Sequence, residues 1–531
     1  MTARTARGVA ATTLASALIA GVAACSNPGG PAGGGPADSV VVGIATEPES
    51  LSPLLGYGKD GNSKIFDGLL AHDAGMKLKP ALAEALPEVS PDGLTYTYRL
   101  RRGVKFSDGV PFSAKDVVFT YRTILDAKTN NASKTELDAV AGVEARGEGT
   151  VVFTLKYPYA PFAERTVLPI APEHIAGRQD VNSGDFTTHP VGTGPYVLTG
   201  WSKGEKIGFK ANPGYWGGEP AVKKFTMAVI KDDDVRATRL RSGELDGAIL
   251  PPNLAQGFRK DAARRVLAAK TFDYRNVTLP THNTVTGDVA VRQALDIAVD
   301  RKAMADRLLE GAGKAAYGPV PTDSPWFTAG TERPYDLDRA KKILDDAGWR
   351  TGGDGIRVKD GVRASFPLWY TSGDKLRQDH ALAFASDARK AGIEVKAEAG
   401  TWEVIEPRMK TDAVLAGGGS PADPDFDQYQ LLTSSLGGDG FNNMARYDNP
   451  AVDAALLDGR RSGDPAARKA AYDTVQRELV KDPGYVFLTH IDHLYVVNDR
   501  WEGISTQVEP HDHGLGSGPW WNVESWKPKQ K

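Results

Sequence analysis

Short runs rich in β-branched and aromatic residues recur along this chain, each bounded by glycine, proline or polar residues. Such runs predict strands, because branched side chains fit the pleated surface of a sheet. The predicted strands are 40–44, 96–100, 151–155, 366–370 and 393–397.

Other segments carry hydrophobic residues at helical spacing, and each follows a residue that can cap a helix. Ser113 opens a capping-box pattern, and Asp336 precedes a helical repeat that ends at Gly348. Asn449 and Asp464 each precede a proline, which suits the first helical position. The mixture predicts an α/β or α+β protein, and periodicity alone does not choose the topology.

The composition is that of an ordinary globular protein. With 531 residues, 41% of them hydrophobic and 25% charged, the chain has room for roughly two to four domains. A single cysteine excludes a disulfide scaffold. A formal charge of -3 gives no broad attraction to nucleic acid, so we expect no nucleic-acid partner.

The N-terminus has the pattern of an export signal. Two arginines precede a small and apolar stretch that ends at Cys25, which predicts a lipoprotein signal peptide over 1–24 and lipidation of Cys25. The alternative is a chance cysteine near an ordinary cleavage site. The Gly/Pro-rich segment 25–38 cannot pack a core and predicts a flexible tether.

Motifs for covalent chemistry are mostly missing. The sequence has no HExxH, no GxSxG and no P-loop, and its single GxGxxG match, Gly56–Gly61, follows a loop rather than a strand. We therefore predict that the protein is not an enzyme and has neither a resident cofactor nor a structural metal.

Histidines are concentrated near the C-terminus, at His490, His493, His511 and His513. They could bind a transition metal, or they could lie in solvated loops and at strand ends. On one extended strand, His490 and His493 would point to opposite faces, which disfavours joint ligation.

Seven sequence blocks in order cover most of residues 40–510. They are Leu86–Tyr121, Pro190–Leu198, Asn212–Gly218, Arg239–Ile249, Val291–Met304, Tyr335–Trp349 and Tyr447–Leu456. In these blocks the chain resembles the family 5 extracellular solute-binding proteins, the peptide- and nickel-binding components of ABC importers.

The resemblance implies an α/β, two-lobed periplasmic-binding-protein fold of type II, cluster C, with an extra subdomain in the first lobe. The implied domains are a discontinuous domain I at 39–70, 188–272 and 495–531, the extra subdomain at 71–187, and the second lobe at 273–494. Gly192 and Gly194 suit either a tight crossing between lobes or a turn that leads into a strand.

The function implied is that of a lipid-anchored solute-binding protein at the extracytoplasmic face of the cell membrane. It would capture peptides in an interlobe cleft and deliver them to ABC permease and ATPase subunits, working as a monomer. The alternative within the family is a nickel or metal-chelate binding protein. Two further hypotheses are that the protein is an envelope hydrolase, or that it is a signalling lipoprotein that presents peptides to a sensor.

The ligand site departs from the family pattern at one place. In peptide-binding relatives, a tryptophan and then an aspartate before an acidic-Pro pair help to hold the peptide α-ammonium. Asp423 matches the pair, but the aspartate falls on Ser420 or Pro421 and the tryptophan falls on glycine. Because a buried ammonium needs a partner, either Asp423 or Asp425 substitutes or the ligand lacks a free N-terminus there.

Position in the family suggests four more ligand-binding candidates, namely Tyr57, Trp402, Asn442 and His490. Each could equally be a packing or loop residue. If His490 faces the cleft, a nickel–chelate becomes the second hypothesis for the ligand, after a peptide.

Overall fold

A computed structural model describes residues 38–131, 134–420, 423–511 and 516–530. The predicted signal peptide, Cys25 and the tether up to residue 37 lie outside these residues, as does His513. Within the described part, no helix has the length and apolar character needed to cross a membrane.

Two large sheets organise the described chain. The seven-stranded sheet of the first lobe has the order Arg264–Ala269, His493–Asn498, Gly247–Leu250, Ser39–Ile44, Lys224–Val229, Lys206–Ala211 and Tyr196–Ser202. The six-stranded sheet of the second lobe has the order Gly313–Ala315, Tyr485–Ile491, Tyr274–Thr278, Ala413–Gly418, Ser365–Thr371 and Glu394–Gly400. Both sheets mix parallel and antiparallel pairs.

A four-stranded antiparallel sheet forms the extra subdomain, with the order Glu88–Val89, Thr95–Arg99, Thr150–Leu155 and Val140–Ala145. Smaller ladders pair Leu70–His72 with Leu78–Pro80 and Trp501–Glu502 with Lys527–Pro528. A three-stranded ladder has Arg357–Lys359 at its centre, between Arg350–Thr351 and Val362–Arg363.

The α-helices cover the sheets. They are Ala114–Leu125, Glu173–Ala176, Asp233–Ser242, Pro252–Ala255, Val289–Ala298, Arg301–Leu308, Leu337–Asp346, Lys375–Lys390, Trp402–Ile405, Asp425–Leu432, Pro450–Arg461 and Pro465–Lys481. Short 3-10 helices are Pro53–Leu55, Lys134–Leu137, Ala160–Val167, Asp185–Thr187, Gln256–Phe258, Glu406–Arg408, Ser434–Leu436 and Gly518–Ser525.

The elements predicted from local pattern are confirmed. Ser113 and Asp116 form the predicted capping box, with the Ser113 N–H donating to the Asp116 carboxylate at 2.9 Å. Asp336, Asn449 and Asp464 each cap the helix that follows them. These caps satisfy backbone donors that would otherwise lack a partner in the first helical turn.

Gly192 and Gly194 belong to a turn that leads into strand Tyr196–Ser202. A Cβ atom at either position would lie within 2.5 Å of an Ile65 backbone atom, and the Gly194 N–H donates to the Ile65 carbonyl at 2.8 Å. Glycine is therefore required here because two backbones approach closely.

The two lobes have largely separate apolar cores, although Ala312 of the second lobe joins a first-lobe cluster and Phe426 packs against the main first-lobe core. One continuous core joins the seven-stranded sheet to the extra subdomain and contains, for example, Val42, Phe225 and Tyr121. The second lobe has its own cores, including one built around Leu295 and Phe384. Because most apolar burial lies within one lobe or the other, relative movement of the lobes would expose only a few apolar contacts.

Candidate ligand-binding site

The chain crosses between the two large sheets at two adjacent places. Residues 270–273 join strand Arg264–Ala269 to strand Tyr274–Thr278, and Asp492 joins the two strands that end at Ile491 and begin at His493. The Thr271 hydroxyl donates to the Ile491 carbonyl at 2.6 Å, and the Ile491 N–H donates to the Asp273 carbonyl at 2.9 Å. These two crossings form the hinge.

His490 and His493 therefore do not share one strand, as the sequence pattern suggested. His490 lies in the six-stranded sheet and His493 in the seven-stranded sheet, with the hinge residue Asp492 between them. Sequence spacing could not show this change of sheet, because both strands are extended and nearly continuous in the chain.

A charged cluster is buried at the hinge. The His493 ring bonds Asp273 through Nε2 at 3.0 Å and Glu509 through Nδ1. Arg275 donates to Asp273 at 2.5 Å, and the His511 ring contacts the same carboxylate at 2.7 Å. Burial alone would lower the pKa of His493, but Glu509 and Asp273 outweigh it and raise that pKa to about 10.

The protonated His493 ring thus bridges the carboxylates of Asp273 and Glu509. For Asp273, burial opposes ionisation, but Arg275 and His511 hold its pKa well below the usual range. His493 belongs to the first-lobe sheet, and Asp273 leads into the second-lobe sheet. Their ion pair therefore links the two lobes at the hinge.

A small cavity of about 20 Å³, enough for one water-sized group, lies in the second lobe beside the hinge. The hinge residue Phe272 forms part of its wall. The other lining residues are Pro319, Val320, Ser324, Trp326, Ser420, Asp423, Pro424, Asp427 and Gln428. This mixture of apolar walls and a few polar groups is typical of small-molecule sites.

Two of the three aspartates in this region already have arginine partners. Asp423 accepts a bidentate pair of hydrogen bonds from Arg468 at 2.6 and 2.9 Å. Asp425 accepts from Arg460 at 2.7 Å and from the Tyr159 hydroxyl at 2.7 Å. Both carboxylates considered as substitutes for the amine-binding aspartate therefore have their charge balanced within the protein.

Asp427 is different. Its carboxylate accepts from the Tyr274 hydroxyl at 3.0 Å and from the Gly419 N–H at 3.0 Å, both uncharged donors. Burial raises the pKa of Asp427 to about 7, and the nearby Asp273 charge adds to the increase. The side chain is surrounded by protein but keeps some accessible surface, because it lines the cavity.

Next to Asp427, the amide of Gln428 lines the same cavity with no exposed surface. Neither its Oε1 nor its Nε2 has a hydrogen-bond partner in the described structure. A buried amide without partners costs free energy, so Gln428 departs from the usual pairing of buried polar groups.

Polar contacts also join the extra subdomain to the second lobe. Arg460 donates to Asp138 at 2.6 Å and to the Tyr157 hydroxyl at 3.2 Å. Gln430 donates to Glu136 at 3.1 Å. We call the contacts of Glu136, Asp138, Tyr157, Tyr159 and Arg165 with Asp425, Phe426, Gln430 and Arg460 the interlobe latch.

Of the six ligand-binding residues predicted from sequence, Ser420 and Asp423 line the cavity together. Tyr57, nearly buried, packs in the first-lobe core. Trp402 packs edge-on against Phe441 with ring centroids 5.2 Å apart, and the Asn442 N–H donates to the Asp439 carbonyl. The structure does not bring these three residues to the cavity.

His490 lies close to the cavity but not in its wall. Its ring packs edge-on against Tyr274, with centroids 6.0 Å apart. Neither ring nitrogen has a partner at hydrogen-bond geometry, although the Gly318 backbone is near enough to favour the protonated ring. Burial nevertheless lowers the pKa of His490 to about 4, so the imidazole is neutral at pH 7.

Sequence reasoning missed Asp427 and Gln428. A local signal existed, because acidic residues occupy every second position at 423, 425 and 427. What distinguishes Asp427 is the pairing of the other two with Arg460 and Arg468, which lie 35 and 45 residues further along the chain. No local pattern shows that pairing.

Among the described residues, no group of three or more His, Cys, Asp or Glu side chains is arranged to hold a metal ion.

Comparison with known proteins agrees with this architecture. The chain is 68% identical to Protein XP55 of Streptomyces lividans over 496 residues, which covers 93% of this chain and 91% of that protein. It superposes on Campylobacter jejuni NikZ in complex with Ni(L-His) with a TM-score of 0.86 at 31% identity, covering 93% of this chain and 100% of that one.

A second similar structure is the oligopeptide-binding protein AppA of Bacillus subtilis in complex with a nonapeptide. Its TM-score is 0.82 at 27% identity, with 93% of this chain and 99% of that one covered. The family model of the bacterial extracellular solute-binding proteins, family 5 Middle, matches residues 77–440. The chain has the two-lobed periplasmic-binding-protein fold and belongs to the bacterial extracellular solute-binding proteins of family 5.

Proposed function

We propose that this protein is a lipid-anchored, monomeric binding protein of an ABC importer, which captures peptides between its lobes and delivers them to a permease. The observation that carries the proposal is the division of the described chain into two lobes, each built on its own large sheet with a largely separate apolar core, which are joined by the hinge and by the polar interlobe latch. A polar interface between rigid bodies favours relative motion.

Ligand capture follows from this arrangement. A ligand stabilises the closed state only by the difference between its affinities for the closed and open states. Periplasmic binding proteins are a standard example of such hinge closure. The cavity wall includes Phe272, so an occupant would contact the hinge segment as well as the second lobe.

The proposal includes a division of the chain into domains. We assign 39–70, 188–272 and 495–531 to domain I, 71–187 to the extra subdomain and 273–494 to the second lobe. The permease would recognise the closed pair of lobes, and no bond of the ligand needs to break.

Attachment to the membrane rests on Cys25. A Cys25→Ser variant should lose lipid labelling and move from the membrane fraction to the soluble fraction, while its unfolding temperature stays unchanged. Retention of Cys25→Ser in the membrane fraction would contradict the proposed anchor.

The ligand is tested most directly by native mass spectrometry of the full chain extracted gently from membranes. We expect a bound mass that is released on unfolding and is identified as a short peptide. Hydrolysis of a bound peptide by the purified protein would contradict a binding-only function.

A nickel or metal-chelate ligand is the second candidate, because His490 is a neutral and unpaired imidazole beside the cavity. The bound Ni(L-His) of Campylobacter jejuni NikZ gives this candidate a precedent in a similar fold. Equilibrium dialysis with nickel and L-histidine, followed by metal analysis, tests it. Stoichiometric retention that is lost in His490→Phe would favour the chelate over the peptide.

A further inference from the structure

We propose that the C-terminal segment 507–511 is a strap that crosses the hinge and clips the second lobe to the first, with His511 as the clip. This hinge strap would set how easily the two lobes separate. The inference rests on the proposed function, since it presumes that the lobes move about the hinge. It gives a role to a segment that lies outside both large sheets and outside the interlobe latch.

The first part of the hinge strap is bound to the extra subdomain. The Gln507 side chain donates to the Asp73 carbonyl at 3.0 Å, and the Val508 N–H donates to the Ala74 carbonyl at 2.9 Å. Asp73 and Ala74 lie in a hairpin turn of the extra subdomain, whose apolar core is continuous with that of the first-lobe sheet. This part of the strap therefore moves with the first lobe.

Glu509 fixes the middle of the strap to the hinge. Its N–H donates to the Lys270 carbonyl at 2.9 Å, and its carbonyl accepts from the Phe272 N–H at 3.0 Å, which forms a parallel β-bridge with the hinge segment. Its buried carboxylate pairs with His493 and accepts from the Tyr495 hydroxyl at 2.8 Å. Since His493 and Tyr495 belong to the first-lobe sheet, Glu509 is held on the first-lobe side of the hinge.

His511 carries the strap onto the second lobe. Its N–H donates to the Gly419 carbonyl at 2.8 Å, and its ring contacts the Asp273 carboxylate at 2.7 Å. Gly419 follows the second-lobe strand Ala413–Gly418, and Asp273 leads into the strand Tyr274–Thr278. Hydrogen bonds need a narrow range of distance and angle, so movement of these strands away from the strap would break both contacts.

The glycine run at 417–419 makes room for this contact. A Cβ atom at Gly417 would lie 2.8 Å from the ring carbon Cε1 of His511, and one at Gly419 would lie 1.9 Å from the Phe272 carbonyl oxygen. Gly419 also has a φ of 127°, a conformation that favours glycine. The end of the second-lobe strand, the hinge segment and the strap therefore pack directly against one another.

The connection between Glu509 and His511 is short and stiff. Only Pro510 separates them, and its ring fixes φ. Two residues of extended chain span at most about 7 Å. Because Glu509 is held at the hinge, His511 cannot follow the second lobe far, and its contacts resist opening.

A pair of spin labels tests the inference on the full chain, stripped of ligand by unfolding and refolding. The labels are attached at Lys260→Cys in the first lobe and Asp458→Cys in the second, both exposed sites, and their distance distribution reports the separation of the lobes. Cys25→Ser removes the only other thiol. In this background, His511→Ala should increase the ratio of open to closed protein about fivefold, as the loss of one hydrogen bond implies.

Gln507→Ala is the matched control. It removes a hydrogen bond of the same strap that does not reach the second lobe, so the distance distribution should stay as in wild type. In His511→Ala the Asp273 carboxylate keeps its Arg275 and His493 partners, so the substitution leaves no unpaired buried charge.

Tyr159→Phe, which weakens the interlobe latch, separates failure of the inference from failure of the proposed function. A longer distance in Tyr159→Phe with no change in His511→Ala, or equal shifts in His511→Ala and Gln507→Ala, would overturn the strap and leave the moving lobes intact. A single fixed distance in every variant would overturn the motion of the lobes and the strap with it.

If His511→Ala does not fold, Pro510→Gly decides the matter. It keeps the groups of His511 that contact the second lobe but makes the connection to Glu509 flexible, so His511 can stay bound as the second lobe moves. A shift toward the longer distance supports the strap. An unchanged distribution in Pro510→Gly would contradict it.

Discussion

The Tyr159 hydroxyl donates a hydrogen bond to Asp425 Oδ2 across the interlobe latch, with 2.7 Å between the two oxygens. Tyr159 begins the 3-10 helix segment of the extra subdomain, and Asp425 opens a helix of the second lobe. Burial raises the pKa of both groups, and the Asp425 charge adds to the shift at Tyr159. This contact joins the extra subdomain to the second lobe, so separating the two would break it.

Removing that hydroxyl should favour the open state. We expect Tyr159→Phe to cost about 1–2 kcal/mol of closure free energy, because a hydrogen bond to a charged acceptor is lost. Small-angle scattering of the ligand-free protein should show a larger radius of gyration. Tyr196→Phe is the matched control, since its hydroxyl donates to the Val222 carbonyl inside the first lobe. An equal effect of both variants on the radius would contradict the prediction.

Arg460 should be the most sensitive residue of the interlobe latch. It pairs with Asp425 and with Asp138, so Arg460→Met leaves Asp425 buried without a cation. Breaking a buried pair in this way costs about 3–5 kcal/mol. Chemical unfolding should show that loss, and adding Asp425→Asn should recover part of it. An additive loss in the double variant would show that the two residues do not act as a pair.

The charged cluster at the hinge predicts that the free energy of unfolding decreases as the pH rises. The folded-state pKa of His493, about 10, lies above its usual value of 6.5. The stabilisation is therefore complete below pH 6.5 and is lost as the pH rises through 10. Denaturant unfolding between pH 7 and 10 should show this decrease in wild type and a flatter profile in His493→Gln. An exposed-site variant, His282→Gln, should keep the wild-type slope.

The local pattern of the sequence was sufficient for individual elements, and the family resemblance was needed for their arrangement. Helix caps such as Asp336 and Asn449 accept hydrogen bonds from residues two or three positions away. They can therefore be predicted directly from the sequence. The site depends on contacts between distant residues. Asp427 differs from Asp423 only because Arg468 reaches one and not the other, and His490 and His493 separate only because the chain changes sheet at Asp492.

Closure of the two lobes around a ligand is tested by small-angle scattering on protein stripped of its ligand by unfolding and refolding. Re-adding the small molecules released in that step should decrease the radius of gyration, as the hinge and interlobe latch bring the lobes together. An unchanged radius despite measured rebinding would show that the lobes do not move, and would contradict the clamp.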